Sequence, residues 1–151
     1  MNVEELFRNI RAARKELWIL GQKESDLTLS MLPGAIRYDK DKVESSPEDP
    51  MLKFAERLSD IEDIKRKRMK ELAENDYTAQ LILRKMPTAR NRLLLELRYI
   101  EGGISHRYSW SEIADEIGYS EIHARGVLHQ AALAEAQEIY DQLEKRKDVT
   151  H

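Results

Sequence analysis

The sequence predicts an all-α protein: a long, coiled-coil-like N-terminal helical hairpin followed by a compact domain of short helices. Three observations carry that prediction. Apolar residues recur in steps of three and four along most of the 151 residues. The four prolines, at positions 33, 47, 50 and 87, fall between those periodic stretches. With 35% charged and 41% hydrophobic residues, the apolar supply is thin for one globule and suits helices with wide solvated faces.

The first helix is read over residues 3 to about 29. Leu6, Ile10, Leu17 and Leu20 fall on one stripe, and Leu27 and Met31 continue it after a polar miss at Glu24. Ser25, Thr28 and Ser30 weaken the end, and Pro33-Gly34 cannot continue it. Residues 33–49 mix acids, lysines, serines and two prolines without periodicity, which reads as a mobile loop.

Ser46-Pro47-Glu48-Asp49-Pro50 reads as a helix entry, since Ser or Asp can cap free amides and proline is tolerated in a first turn. The stripe that follows, through Phe54, Leu58, Ile61 and Leu72 to Met86, predicts a helix over 51–86 with polar breaks at Lys65, Arg68 and Asn75. So long a helix cannot bury its own stripe. Residues 1–86 therefore read as a hairpin that pairs with itself, with a second copy as a homodimer, or with a partner, through Leu6, Ile10, Leu17, Leu20, Phe54, Leu58, Ile61 and Leu72. The basic run Lys65-Arg66-Lys67-Arg68 points around the cylinder, with Glu62 and Asp63 one turn earlier, and reads as a solvated face.

Pro87 marks the expected domain boundary, and residues 87–151 form the second domain. Leu93, Leu94, Leu97 and Ile100 predict a short helix over 89–100, ended by Gly102-Gly103. Ser109-Trp110-Ser111-Glu112 has capping-box spacing, in which serine and glutamate satisfy each other's free amides. Ile113, Ala114 and Ile117 give that helix its apolar face. Gly118 suits a left-handed turn, and Ser120 caps a last helix expected from 121 to about 145.

A short helix with Ile-Ala near its middle, a Gly-x-Ser turn and a second capped helix make a helix-turn-helix layout. Leu97-Arg98-Tyr99-Ile100-Glu101-Gly102, Ser109 to Ala114, Gly118-Tyr119-Ser120 and Leu128-His129-Gln130-Ala131 resemble the promoter-reading region four of bacterial sigma factors. With Asp41 to Met51 between two helical stripes, nearly the whole chain resembles small phage and prophage proteins of Gram-positive bacteria that join a helical N-terminal half to a sigma region-four-like helix-turn-helix. The resemblance implies a late transcriptional regulator that binds double-stranded DNA, acts on late or packaging genes, and works beside host RNA polymerase in the bacterial cytoplasm. Two rival expectations stand beside it: a phage packaging or assembly subunit, and a module that binds RNA polymerase with little DNA contact. The chain departs from the pattern in the longer segment 103–108 and in having Ala124, Gly126, Val127 and Gln130 on the second helix.

Under the helix-turn-helix reading, the expected base-reading residues are His123, Arg125, His129 and Gln130. Arg125 can donate twice to guanine and Gln130 can pair with adenine. The expected phosphate contacts are Arg92, Arg107, Ser111 and Ser120. Charge argues the other way. Residues 1–86 carry 17 bases and 17 acids, whereas residues 87–151 carry 8 and 11, so the whole net charge of -3 lies on the half assigned to DNA. Binding should then be weak, salt-sensitive and dependent on a dimer or the polymerase.

Other chemistry finds little support. With no cysteine and no i, i+4 pair among His106, His123, His129 and His151, no metal site is expected. No cofactor motif and no catalytic constellation is present, so the chain is not expected to be an enzyme. The first residues, MNVEELFRNIRAARKE, hold acids at once and no long apolar run, so neither a signal peptide nor a membrane span is expected.

Overall fold

The computed structural model describes residues 2–32, 49–101 and 108–150. The described residues are helical, with no strand among them. The fold is all-α.

Helix α1 runs Val3–Ser30. Asn2 caps it, its Oδ1 accepting from Glu5 N at 2.7 Å. Helix α2 runs Pro50–Lys85, with Asp49 Oδ1 accepting from Met51 N at 3.0 Å and proline in the first turn. Helix α3, Ala89–Leu95, passes into a wide π-helical turn, Glu96–Ile100. Helix α4 is Trp110–Ile117. Helix α5, Glu121–His123, is followed by a second wide turn, Ala124–Leu128, and then by α6, His129–Thr150. The last helical stretch thus outlasts the expected end near 145. The expected loop 33–49 lies outside the described residues apart from Asp49, and so does the segment 102–107.

The chain divides into two compact units, Met1–Arg14 with Leu72–His151, and Lys15–Glu71. The expected boundary at Pro87 is not where it divides. In the first unit one core joins Val3, Leu6, Phe7 and Ile10 of α1 to Ile82, Leu83 and Met86 of α2, and both to Leu94, Leu95, Tyr99, Ile113, Leu128, Ala132 and Ala136. The short helices beyond Pro87 hold too few large apolar side chains to close a core. The first turns of α1 and the last of α2 complete it, with Phe7 and Tyr99 ring centroids 5.4 Å apart. Arg14 ties this unit together, donating to the carbonyl of Ile100 at the end of the wide turn and lying 3.8 Å from Asp76.

The second unit is a pair of antiparallel helical segments. Glu24 pairs with Lys65 at 3.0 Å, and Glu16 with Arg68 at 2.9 Å, Arg68 also reaching Glu71. Lys65 and Arg68, the polar breaks in the α2 stripe, therefore meet acids of α1. Leu20 is buried here, while Leu17, Phe54, Leu58 and Ile61 are half-buried. The partner stripe needs one correction. Leu6 and Ile10 are buried inside the first unit, Leu72 packs against the same core and Leu20 is buried in the second unit, so these four have little surface to offer a second chain.

Candidate nucleic-acid interface

The turn between α4 and α5 is built by local chemistry. Ser109 Oγ accepts from Glu112 N at 3.1 Å and Glu112 Oε1 accepts from Ser109 N at 3.3 Å, closing the capping box. Gly118 ends α4 in the left-handed region (φ 78°), and its N–H and that of Tyr119 both donate to the carbonyl of Ala114, at 2.9 and 3.0 Å. Ser120 Oγ then accepts from His123 N at 3.2 Å and starts α5. Ala114 and Ala124 are buried, and their small side chains let the two helices approach.

Ile122, His123, Arg125, Gly126 and Gln130 are exposed on the helix that follows the turn. His123, Arg125 and Gln130, three of the four expected base readers, thus stand at the surface. His129 does not. Its Nε2 is 2.8 Å from the Tyr99 hydroxyl, its ring stacks on Tyr99, and Trp110 meets it edge-on at 4.9 Å. Burial holds its pKa below the ordinary value near 6.5, and the Arg98 cation pushes the same way. The cause of the inward placement is the wide turn Ala124–Leu128. Ala124, Leu128, Ala132 and Ala136 are buried at steps of four, where an unbroken α-helix would drift off that face. The added residue per turn brings His129 toward the core and leaves Gln130 outside.

The expected phosphate contacts divide similarly. Ser111 is exposed on the first turn of α4 and Ser120 is exposed at its cap. Arg92 is half-buried and donates to the carbonyl of Met86 at 3.3 Å, so it closes the end of α2 rather than standing clear. Arg107 lies outside the described residues. Arg98 is half-buried and covers the Trp110 ring at 4.8 Å.

Two residues that sequence reasoning did not single out join the surface. Arg90 donates to the Tyr119 hydroxyl at 3.2 Å with its guanidinium 5.5 Å from the ring centroid, and the His123 ring stacks on Tyr119 with centroids 5.5 Å and planes 17° apart. Arg90, Tyr119 and His123 so form a cation–phenol–imidazole group beside the Ser120 cap. The signal in the sequence was only Tyr119 between the turn glycine and the capping serine. Arg90 lies 29 residues from Tyr119, and nothing local foretells their meeting.

The charge around this surface is mixed. Asp115 and Glu116 are exposed on α4 and Glu121 on α5, the two helices that flank the turn. Among the described residues no three His, Asp or Glu side chains gather as metal ligands, and no helix is long and apolar enough to cross a membrane. No protein-family model, curated protein or solved structure shows significant similarity to this chain.

Proposed function

We propose that the chain is a phage-encoded transcriptional regulator of the sigma region-four type, binding double-stranded DNA through the helix that begins at Ser120 and acting on late or packaging genes. The supporting observation is the run from the Ser109 capping box through left-handed Gly118 to the Ser120 cap. It is followed by a helix with Ile122, His123, Arg125 and Gln130 exposed along it. Arg125 and Gln130 read base edges, and Arg90 and Ser120 meet the backbone. The helical pair of residues 15–71 serves dimerisation or a partner.

A mobility shift of phage promoter DNA at two salt concentrations tests this. Binding at low salt that fades steeply at higher salt is expected. No binding at low salt would sink the proposal.

One observation favours a second reading. Asp115, Glu116 and Glu121 are exposed on the two helices that flank the turn, and carboxylates there suit a basic protein face better than phosphate. In that reading the chain contacts host RNA polymerase with little DNA contact, and capture of the polymerase without any DNA shift is its signature.

A further inference from the structure

Gly126 lies at the centre of the wide turn Ala124–Leu128, inside the helical stretch 121–150, where glycine contributes no side chain and little helix stability. Its φ is not in the left-handed region, since Gly118 is the one described residue there. A Cβ added at Gly126 would meet nothing within 4 Å, so no neighbouring side chain requires its absence. Neither a left-handed φ nor a crowding side chain requires glycine here. Its effect is to leave the backbone bare toward anything that approaches from outside.

The neighbours on the same face indicate what approaches. Ile122, one turn earlier, is 87% exposed, unusually bare for an isoleucine. Gln130 is exposed one turn later, and Arg125 beside Gly126 is exposed as well. Steps of four place Ile122, Gly126 and Gln130 in one row. The wide turn that carries His129 inward is what keeps that row aligned. Ile122 and Gln130 stand eight residues, about 12 Å, apart along the helix, so an apolar side chain, a gap and a carboxamide in a row suit two A·T pairs about three steps apart in the major groove. There the thymine methyl offers an apolar contact and adenine offers a donor and an acceptor for a carboxamide.

We infer that Gly126 is the point where this helix touches the floor of the DNA major groove, with Ile122 packed on a thymine methyl and Gln130 on adenine. This rests on the DNA-binding reading above. Gly126 is thus a specificity determinant by lacking a side chain: the backbone comes close enough for its flanking residues to reach base edges.

The test uses the full chain and a duplex that the chain itself selects from a randomised 20-base-pair pool. Gly126→Ala should raise the melting temperature by about 2–4 °C, because the helix gains and nothing clashes. The same variant should bind the selected duplex about tenfold less tightly or worse, the ordinary consequence of forcing a methyl into a closed contact. Gly21→Ala, on helix α1 with equally open space, should also stabilise the chain but leave binding unchanged. Replacing thymine by uracil at the selected site should weaken wild-type binding about fourfold, and Ile122→Ala should erase that difference. A duplex that binds Gly126→Ala as tightly as wild type, or tolerates uracil throughout, overturns this inference and leaves the DNA-binding reading standing. If the pool yields no bound duplex, both fall. If Gly126→Ala instead weakens capture of RNA polymerase with no DNA bound, the face belongs to a protein partner.

Discussion

The Tyr99 hydroxyl lies 2.8 Å from His129 Nε2, and the Trp110 indole meets the imidazole edge-on at 4.9 Å. The three residues come from the wide turn after α3, the start of α6 and the first residue of α4, so the group ties α4 and the turn after α3 to the end of the surface helical stretch.

Protonating His129 works against this group. Burial comes first, then the Arg98 cation; Arg8 adds to it and Glu4 opposes it, and the net effect holds the pKa below 6.5. A histidine with a lower pKa folded than unfolded binds protons more readily when unfolded, so stability is full above about pH 6.5 and falls as pH drops below it. The melting temperature should decline between pH 7.5 and 5.5. His129→Gln, which keeps a polar partner for Tyr99 but does not titrate, should flatten that decline. Equal slopes for the two proteins would remove His129 as the cause.

The turn makes a sharper contrast. Gly118 has open space around it, as Gly126 has, but its φ of 78° is strained for any L side chain. Gly118→Ala should therefore cost about 1–2 kcal/mol from the backbone alone, while the same substitution at Gly126 stabilises. Ser109→Ala should cost about 1 kcal/mol through loss of the capping box. Chemical denaturation of the three variants gives the ordering; a Gly118→Ala protein as stable as wild type would refute the strain argument.

What was legible in the sequence was what is decided within a few residues. Ser109 and Glu112 are three apart, Gly118 borders the helix it ends, and Ser120 caps an amide three residues on, so their chemistry needs no tertiary knowledge. The helix stripes were legible too, because 3.6-residue periodicity is local. The division of the chain was not. Phe7 and Ile10 belong to the core of the short helices through contacts about 90 residues away, and the periodicity of α1 is the same on both sides of Arg14. The placement of His129 was hidden for a related reason: a regular α-helix advances 100° per residue, and a single wide turn shifts the face on which every later residue falls. Arg92 and Arg98 counted as surface charge in the sequence, but a carbonyl and an indole occupy them.

Glu135 shows how far such a contact can reach. Thr88 is the N-cap residue of α3 and its side chain makes no capping hydrogen bond; the Glu135 carboxylate accepts from Thr88 N at 3.1 Å and from Asn91 Nδ2 at 2.7 Å. Burial pushes its pKa up, but the bonds from Asn91 and Thr88 outweigh it, and the pKa ends below the ordinary value of 4.5. Its stabilisation is thus present above about pH 4.5 and lost as pH falls further. Glu135→Ala should cost about 1–3 kcal/mol, since buried Asn91 loses its acceptor. In acid titrations followed by circular dichroism, Glu135→Gln should be less sensitive below pH 4.5 than wild type. An unchanged acid transition would count against this carboxylate.

Arg125 separates reading a base from holding a phosphate. Its guanidinium is exposed on the helix after Ser120, one residue before Gly126. If the fork donates to guanine O6 and N7, Arg125→Ala should lose about 1–3 kcal/mol of discrimination at one base pair while the salt dependence of binding stays nearly the same. If it instead neutralises a phosphate, affinity should fall evenly across sequences and the slope of log K against log salt should shrink by about one. Arg125→Lys separates the cases further, because lysine keeps the charge but not the planar fork. If the row of Ile122, Gly126 and Gln130 faces base edges as proposed, the expected outcome is lost discrimination with the salt slope retained. A variant whose sequence preference matches wild type and whose salt slope drops would move Arg125 to the backbone and leave Gln130 as the polar reader.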